Sequence, residues 1–139
     1  MIILDTNVVS ELLRPVPTPR VAGWYAQQAA PEAFISAVTE AELRYGVEIM
    51  PTGRRRTDLA TTIEGLLERD FAGRILSFDS SAAKAYATIA AERRSAGRPI
   101  EPADAQIAAI ARSLGASIAT RDARGFEETG VDLINPWTD

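Results

Sequence analysis

The stretch that decides the fold is the first, "MIILDTNVVSELL" at residues 1–13, where Asp5 stands between two apolar runs. Ile2 to Leu4 have the composition of a short buried strand. Val8, Val9, Leu12 and Leu13 then recur at helical spacing until Pro15 stops them. The chain therefore begins as a strand passing directly into a helix, with a carboxylate at the junction. An acid set straight after "IIL" loses hydration at a cost unless something binds it.

The same alternation continues outward from this start. Thr18 before Pro19 reads as an N-cap with proline at the first helical position, leading into Val21, Trp24, Tyr25 and Gln28. "AFISA" (33–37) is a second strand, and "VTEAELRYGVEIM" (38–50) a helix with Thr39 and Glu42 at capping-box spacing and Gly46 as an interruption. After Pro51, Leu59, Ile63, Leu66, Leu67 and Phe71 mark an amphipathic helix, and "RILSFD" (74–79) is a third strand. Ser80 or Ser81 caps a long alanine-rich helix that Gly97 ends. Pro102 and Gly115 bracket a further helix, "ASIAT" (116–120) is the fourth strand, "RDARGFEETG" (121–130) a polar loop, and "VDLINP" (131–136) a last short strand. Strands alternating with helices through short connections predict a single domain over residues 1–139, an α/β sandwich with a mostly parallel sheet.

Composition narrows the chemistry. The 139 residues, 46% hydrophobic and 24% charged, suit a soluble domain with its own core, and no apolar run nears the ~18 residues of a membrane span. No basic n-region precedes the first strand, so a cytoplasmic location and no membrane association are expected. Cysteine and histidine are both absent. That excludes disulfides, thiol nucleophiles, Cys/His zinc sites and histidine-based acid–base pairs, and leaves carboxylates as the main carriers of any catalysis. The net charge of −4 argues weakly against nucleic-acid binding. If four of the 19 acids sit together in one site, however, 15 remain against 15 basic residues.

In open α/β sheets, ligands bind at the carboxyl ends of the strands. Asp5 ends strand one, Asp79 ends strand three, Asp122 follows strand four, Asp104 lies in the first turn of the helix before strand four, and Glu42 lies early in the helix after strand two. Each has a plainer account. Asp104 suits a helix N-terminus, Glu42 a capping box, and Asp122 a turn. Taken together they line one sheet edge. Clustered carboxylates repel, and a divalent cation with a preference for oxygen ligands relieves that repulsion. Such an ion suits metal-assisted phosphodiester hydrolysis.

Five motifs in register carry a resemblance: "LDTN" (4–7), "FISAVTEAELRYG" (34–46), "EPADAQIAAIARSLG" (101–115), "IATRDARGFEETGV" (118–131) and "NPW" (135–137). In order and spacing the chain is similar to PIN-domain proteins of the VapC type, near their FitB-like branch. The resemblance implies a three-layer α/β/α sandwich and a metal-dependent endoribonuclease serving as the toxin of a toxin–antitoxin pair. It assigns Asp5, Glu42, Asp104 and Asp122 as the acidic quartet. Asp5 and Asp104 would be the principal Mg²⁺ or Mn²⁺ ligands, Asp122 a further ligand, and Glu42 a ligand or a water-orienting base. Thr6, Asn7 and Thr120 would supply supporting hydrogen bonds, and Asp79 would only cap a helix. The implied partners are an RNA substrate, a cognate antitoxin whose C-terminal segment lies in a groove near the acids, a second copy of the chain in a homodimer or larger assembly, and operator DNA only through the antitoxin. Leu13, Trp24 and Tyr25 are either groove lining or core. Arg54 to Arg56 are either a track for RNA phosphates or a solvated helix start. One departure stands out: Arg124-Gly125-Phe126 replaces the Arg-Asp-Phe of many relatives, so a second loop acid is missing. Two other classes compete. A phosphoacceptor using Asp5 would want paired early acids and a late lysine, whereas the single Lys84 lies within a helix. A non-catalytic binding module would not be expected to keep all four acids.

Overall fold

The structure, a computed structural model, describes residues 1–139. Five strands, β1 (Ile2–Leu4), β2 (Ala33–Ser36), β3 (Ile75–Leu76), β4 (Ser117–Ala119) and β5 (Leu133–Ile134), form one sheet in the order β3-β2-β1-β4-β5. Every pairing is parallel, with Ile3 set against Phe34 on one side and Ile118 on the other. The first strand of the chain is thus the centre of the sheet.

Successive residues of a strand face opposite ways, so each strand feeds two cores. Leu4, Ile35 and Ala119 join one apolar cluster with Val8 and Val9 of α1 (Thr6–Leu12), Leu43 and Val47 of α3 (Ala37–Glu48), and Ile63 of α4 (Arg54–Gly65). Ile3 and Ile118 join the other, with Ile89 of α5 (Ser80–Ser95), Ile107 and Ile110 of α6 (Pro102–Leu114), and Phe126. A parallel sheet needs cover on both faces, and these two helix layers provide the expected α/β/α sandwich. α2 (Pro19–Ala26) completes the first layer through Val21, Trp24 and Tyr25. No helix is long and apolar enough to cross a membrane.

Several local expectations change. Ser36, not Thr39, caps α3: its hydroxyl accepts the Thr39 N–H at 3.1 Å, because the helix begins three residues earlier than the Thr39/Glu42 spacing implies. Glu42 is thereby free of capping duty. Gly46 does not interrupt α3, which continues to Glu48. Asp79 caps α5, as its reading as a helix cap expects, and takes the place given to Ser80 or Ser81; it accepts the Ala82 N–H at 2.9 Å. β3 is only two residues long, and α4 runs on into a π-helical turn at Leu66–Asp70. The polar loop after β4 holds a 3₁₀ turn, Arg124–Phe126, whose Phe126 is buried in the core. Gly115 closes α6 at φ +66°, a left-handed conformation that glycine adopts without steric cost.

Candidate active site

β2 and β3 lie to one side of β1, and β4 and β5 to the other, so the direction of winding reverses between β1 and β4. Open sheets place their ligand crevices at such a reversal. Asp5 leaves β1 there and Thr120 leaves β4, and the two touch: Thr120 Oγ1 donates to Asp5 Oδ2 at 2.7 Å. The other Asp5 oxygen accepts the Thr6 N–H at 2.8 Å, so the acid also caps α1. Thr120 Oγ1 accepts in turn from the Asp122 N–H (3.0 Å) and from Asn7 Nδ2 (3.3 Å), while Asn7 Oδ1 accepts the Arg121 N–H (3.2 Å). Thr6 Oγ1 donates to Glu42 Oε1 at 2.7 Å and lies 3.0 Å from the Thr39 hydroxyl. Hydroxyls and one amide thus tie Asp5, Glu42 and Asp122 into a single network.

Asp104 is the exception. It lines the same cleft, of about 640 Å³, with Asp5, Glu42 and Asp122, but α6 brings it there from the other face of the sheet and it has no side-chain hydrogen bond. Partial burial and the charges of Asp5, Asp122, Glu42 and Glu101 push its pKa up to about 6. Burial also raises that of Asp5, against the hydrogen bonds from Thr120 and Thr6, with Glu42 and Asp122 adding to the rise.

Asp104 makes stability depend on pH. Its folded value of about 6 exceeds its ordinary 3.8, so the folded chain holds the proton more tightly than the unfolded chain does. The metal-free protein should lose stability as pH rises from about 4 through about 6, levelling off near pH 7. That difference would be worth about 3 kcal/mol, and roughly half of that is expected for a carboxyl still open to solvent. Glu32, Glu64 and Glu127 are held below the usual range by the N-terminal amine, Arg44 and Arg98 respectively. They act in the opposite sense, but only as pH falls below about 4.5. Urea unfolding in chelator at pH 5.5 and 7.5 measures the slope; an unchanged or rising midpoint would contradict it.

The donor set fits a hard divalent cation. It contains carboxylate and hydroxyl oxygen without His or Cys, and Asp104 in particular has no counter-charge. The acids are not already gathered at ligand spacing: no group of three His, Cys, Asp or Glu side chains is close enough to hold an ion as it stands. Repulsion among unneutralised carboxylates accounts for that looseness.

The cleft also contains residues that spacing did not single out. Glu11 is buried at 7% exposure, yet it is committed elsewhere, accepting from Arg14 Nη1 (3.1 Å) and the Thr18 N–H (3.3 Å). Arg14, Arg121 and Trp137 complete the lining. The acid-to-arginine spacing of Glu11 and Arg14 on one helical turn is the only signal the sequence offered for this pair. Asp79, at the sheet's edge strand, does not reach the cleft. Gly125 explains the missing loop acid. Its N–H donates to Asp122 Oδ1 at 3.0 Å, and a Cβ there would lie 2.5 Å from Asp122 Oδ2. Any side chain at 125 must move the Asp122 carboxylate aside.

Next to the acids runs an apolar groove of about 340 Å³, lined by Leu13, Leu43, Leu59 and Ile63 and sharing Thr6, Ser10, Arg14 and Glu42 with the acid cleft. Of the three residues expected either in such a groove or in the core, Leu13 lines it. Trp24 and Tyr25 pack on the core instead. Arg56 is paired with Glu48 at 3.2 Å, and Arg54 and Arg55 begin α4 without entering the acid cleft. Arg54 and Arg55 are exposed there.

Fold and cleft together define an α/β/α protein that collects carboxylates where a parallel sheet reverses its winding. The chain belongs to the PIN-domain family, whose pattern matches residues 2–132. It is 47% identical to the plasmid stability protein StbB of Pseudomonas syringae pv. tomato and 44% identical to the VapC ribonuclease Y4jK of Sinorhizobium fredii, each over 99% of this chain and 98% or more of the relative. It is 42% identical to the toxin FitB of Neisseria gonorrhoeae over the whole of both chains, and the crystal structure of FitAcB from that organism superposes with a TM-score of 0.93 over the full length of each.

Proposed function

We propose that this protein is a metal-dependent endoribonuclease that acts as the toxin of a toxin–antitoxin pair. The observation that carries the proposal is the cleft at the β1/β4 reversal, where Asp5, Glu42 and Asp122 are joined by hydrogen bonds and Asp104 faces them without a partner. The VapC ribonuclease and FitB relatives support the choice of RNA and the toxin role. Asp5, Asp104 and Asp122 would hold Mg²⁺ or Mn²⁺. When bound, such an ion supplies Lewis acidity toward a phosphoryl oxygen and lowers the pKa of a coordinated water.

The chain's own groups do the positioning. Thr120 and the Thr6 N–H fix the Asp5 carboxylate while leaving each oxygen a spare lone pair. Thr6 holds Glu42 at the cleft, where its second oxygen is placed to accept a proton from an attacking water. Protein freed of any partner should cut single-stranded RNA, stop when chelator is added, and resume with Mn²⁺ in excess of the chelator. Cutting that persists in chelator would remove the metal from the proposal, and no cutting under any of these conditions would remove the ribonuclease. Homodimerisation belongs to the same proposal and is read by sedimentation velocity.

The antitoxin's inhibitory segment would lie in the apolar groove, since an occupant of that groove borders Thr6 and Glu42. Gly46 gives a clean test. It lies within α3, lines the groove, and a Cβ there meets nothing within 4 Å. Gly46→Met should fill the groove, stabilise the helix by roughly 0.5–1 kcal/mol, keep RNA cleavage, and weaken inhibition by the coexpressed partner. Titration of cleavage with the partner checks it; unchanged inhibition would place the segment elsewhere.

A further inference from the structure

Arg121 has an unusual situation for a cation in an acid-lined cleft. Asp5, Glu11, Glu42, Asp104 and Asp122 share that cleft with it, and Asp122 is its neighbour in sequence, yet none of the molecule's seven ion pairs includes Arg121. The other cation of the cleft, Arg14, is already held by Glu11 at 3.1 Å. The Arg121 guanidinium instead lies over the indole of Trp137, 5.1 Å from the ring centroid.

The stack is fixed from both sides. The Arg121 backbone N–H donates to Asn7 Oδ1 at 3.2 Å, which ties this residue to the segment after Asp5. Trp137 packs on the core below, its backbone N–H donates to Asn135 Oδ1 at 2.9 Å, and Asp139 Oδ2 accepts the Asn135 backbone N–H at 2.8 Å. Arg20 donates to the Thr138 carbonyl at 2.8 Å, pinning the same turn to α2. A guanidinium held over an aromatic face by cation–π attraction, and in no ion pair, keeps N–H donors for a phosphate. Arg121 is exposed, so a nucleotide can reach it. Flat stacking surfaces beside a free cation are how proteins hold unpaired nucleotides, since a base within a duplex has no open face to offer.

We infer that the Arg121–Trp137 stack is a nucleotide subsite that holds one unpaired base and its phosphate beside the scissile bond, and so selects single-stranded RNA. The inference rests on the ribonuclease reading for its substrate.

Steady-state cleavage of a labelled single-stranded RNA oligomer tests it. Arg121→Ala should raise KM about tenfold with kcat and Mn²⁺ affinity essentially unchanged. Arg121→Lys, which keeps the charge but not the flat face, should recover only part of the loss. In a Trp24→Phe background Trp137 is the sole indole, and the single-stranded oligomer should quench its emission where the matching duplex does not. An unchanged KM in Arg121→Ala would overturn the subsite, as would a fall in kcat at constant KM, equal quenching by duplex, or quenching by the antitoxin alone. If the parent protein cuts no RNA, the ribonuclease reading fails by itself. The quenching arm then still decides the subsite, which stands if the single strand quenches and falls if it does not.

Discussion

Asp104→Asn should give a protein that, in chelator at neutral pH, is more stable than the parent and yet almost inactive on RNA. Asp104 has no hydrogen bond to lose, and the groups that raise its pKa to about 6 are its own burial and four neighbouring carboxylates. An amide of the same shape removes the repulsion and leaves the packing alone. The gain should be about 1 kcal/mol, a rise of roughly 3–4 °C in melting temperature for a chain of this size. The decline in stability between pH 5.5 and 7.5 should flatten in the same variant. Mn²⁺ should then stabilise the parent more than the variant, since it would neutralise in the parent a charge that the variant lacks. Cleavage should fall by more than the ~10–100-fold that loss of an outer-sphere partner costs. Thermal unfolding with and without Mn²⁺, set beside an RNA assay, measures all of this. A variant less stable than the parent in chelator would mean that the acids do not strain the fold.

Arg93→Met should be the most damaging single change away from the cleft. Arg93 is 5% exposed, and no carboxylate pairs with it. Its guanidinium donates to the Arg98 carbonyl at 2.7 Å, the Gly125 carbonyl at 3.1 Å and the Glu127 carbonyl at 2.9 Å. One buried cation thus fastens the end of α5 to the loop that carries Asp122. Orphaning those carbonyls should cost about 3 kcal/mol, or roughly 10 °C. Arg93→Lys should recover only part, because one ammonium cannot span three carbonyls as a planar fork does. Mn²⁺ affinity should weaken in both variants, since Asp122 stands three residues before Gly125 and accepts its N–H. Full stability in Arg93→Met would mean that the loop holds itself through Phe126 alone.

Sequence and structure agree where one strong physical rule decides. Ile2 to Leu4 and "AFIS" are apolar enough to be buried on both faces, and Asp5 stands out because a charge ending such a strand needs a reason. The same strand-end rule nominated Asp79, which turned out to cap a helix, because position along a strand does not say whether that strand lies at the centre or the rim of the sheet. Ser36 and Thr39 are both good caps in the right place, and only the actual start of α3 chooses between them. Arg93 and Arg94 look alike along α5; the choice of which one turns inward is made by the loop packed against it. Arg121 and Trp137 meet through two segments that are separate in sequence, so no local pattern reports their contact.

The central position of β1 has a consequence for biosynthesis. The hydrogen bond from Thr120 to Asp5 spans 115 positions of chain, and β1 is flanked by β2 and by the late-arriving β4. A ribosome therefore releases Asp5 and must translate over a hundred further residues before the strand that completes its surroundings exists. Contacts of such long range form slowly compared with local helices, so the acid cleft matures only after β4 has been made. Under the proposed toxin role, a partner made before it would be waiting when the acid cleft is first complete.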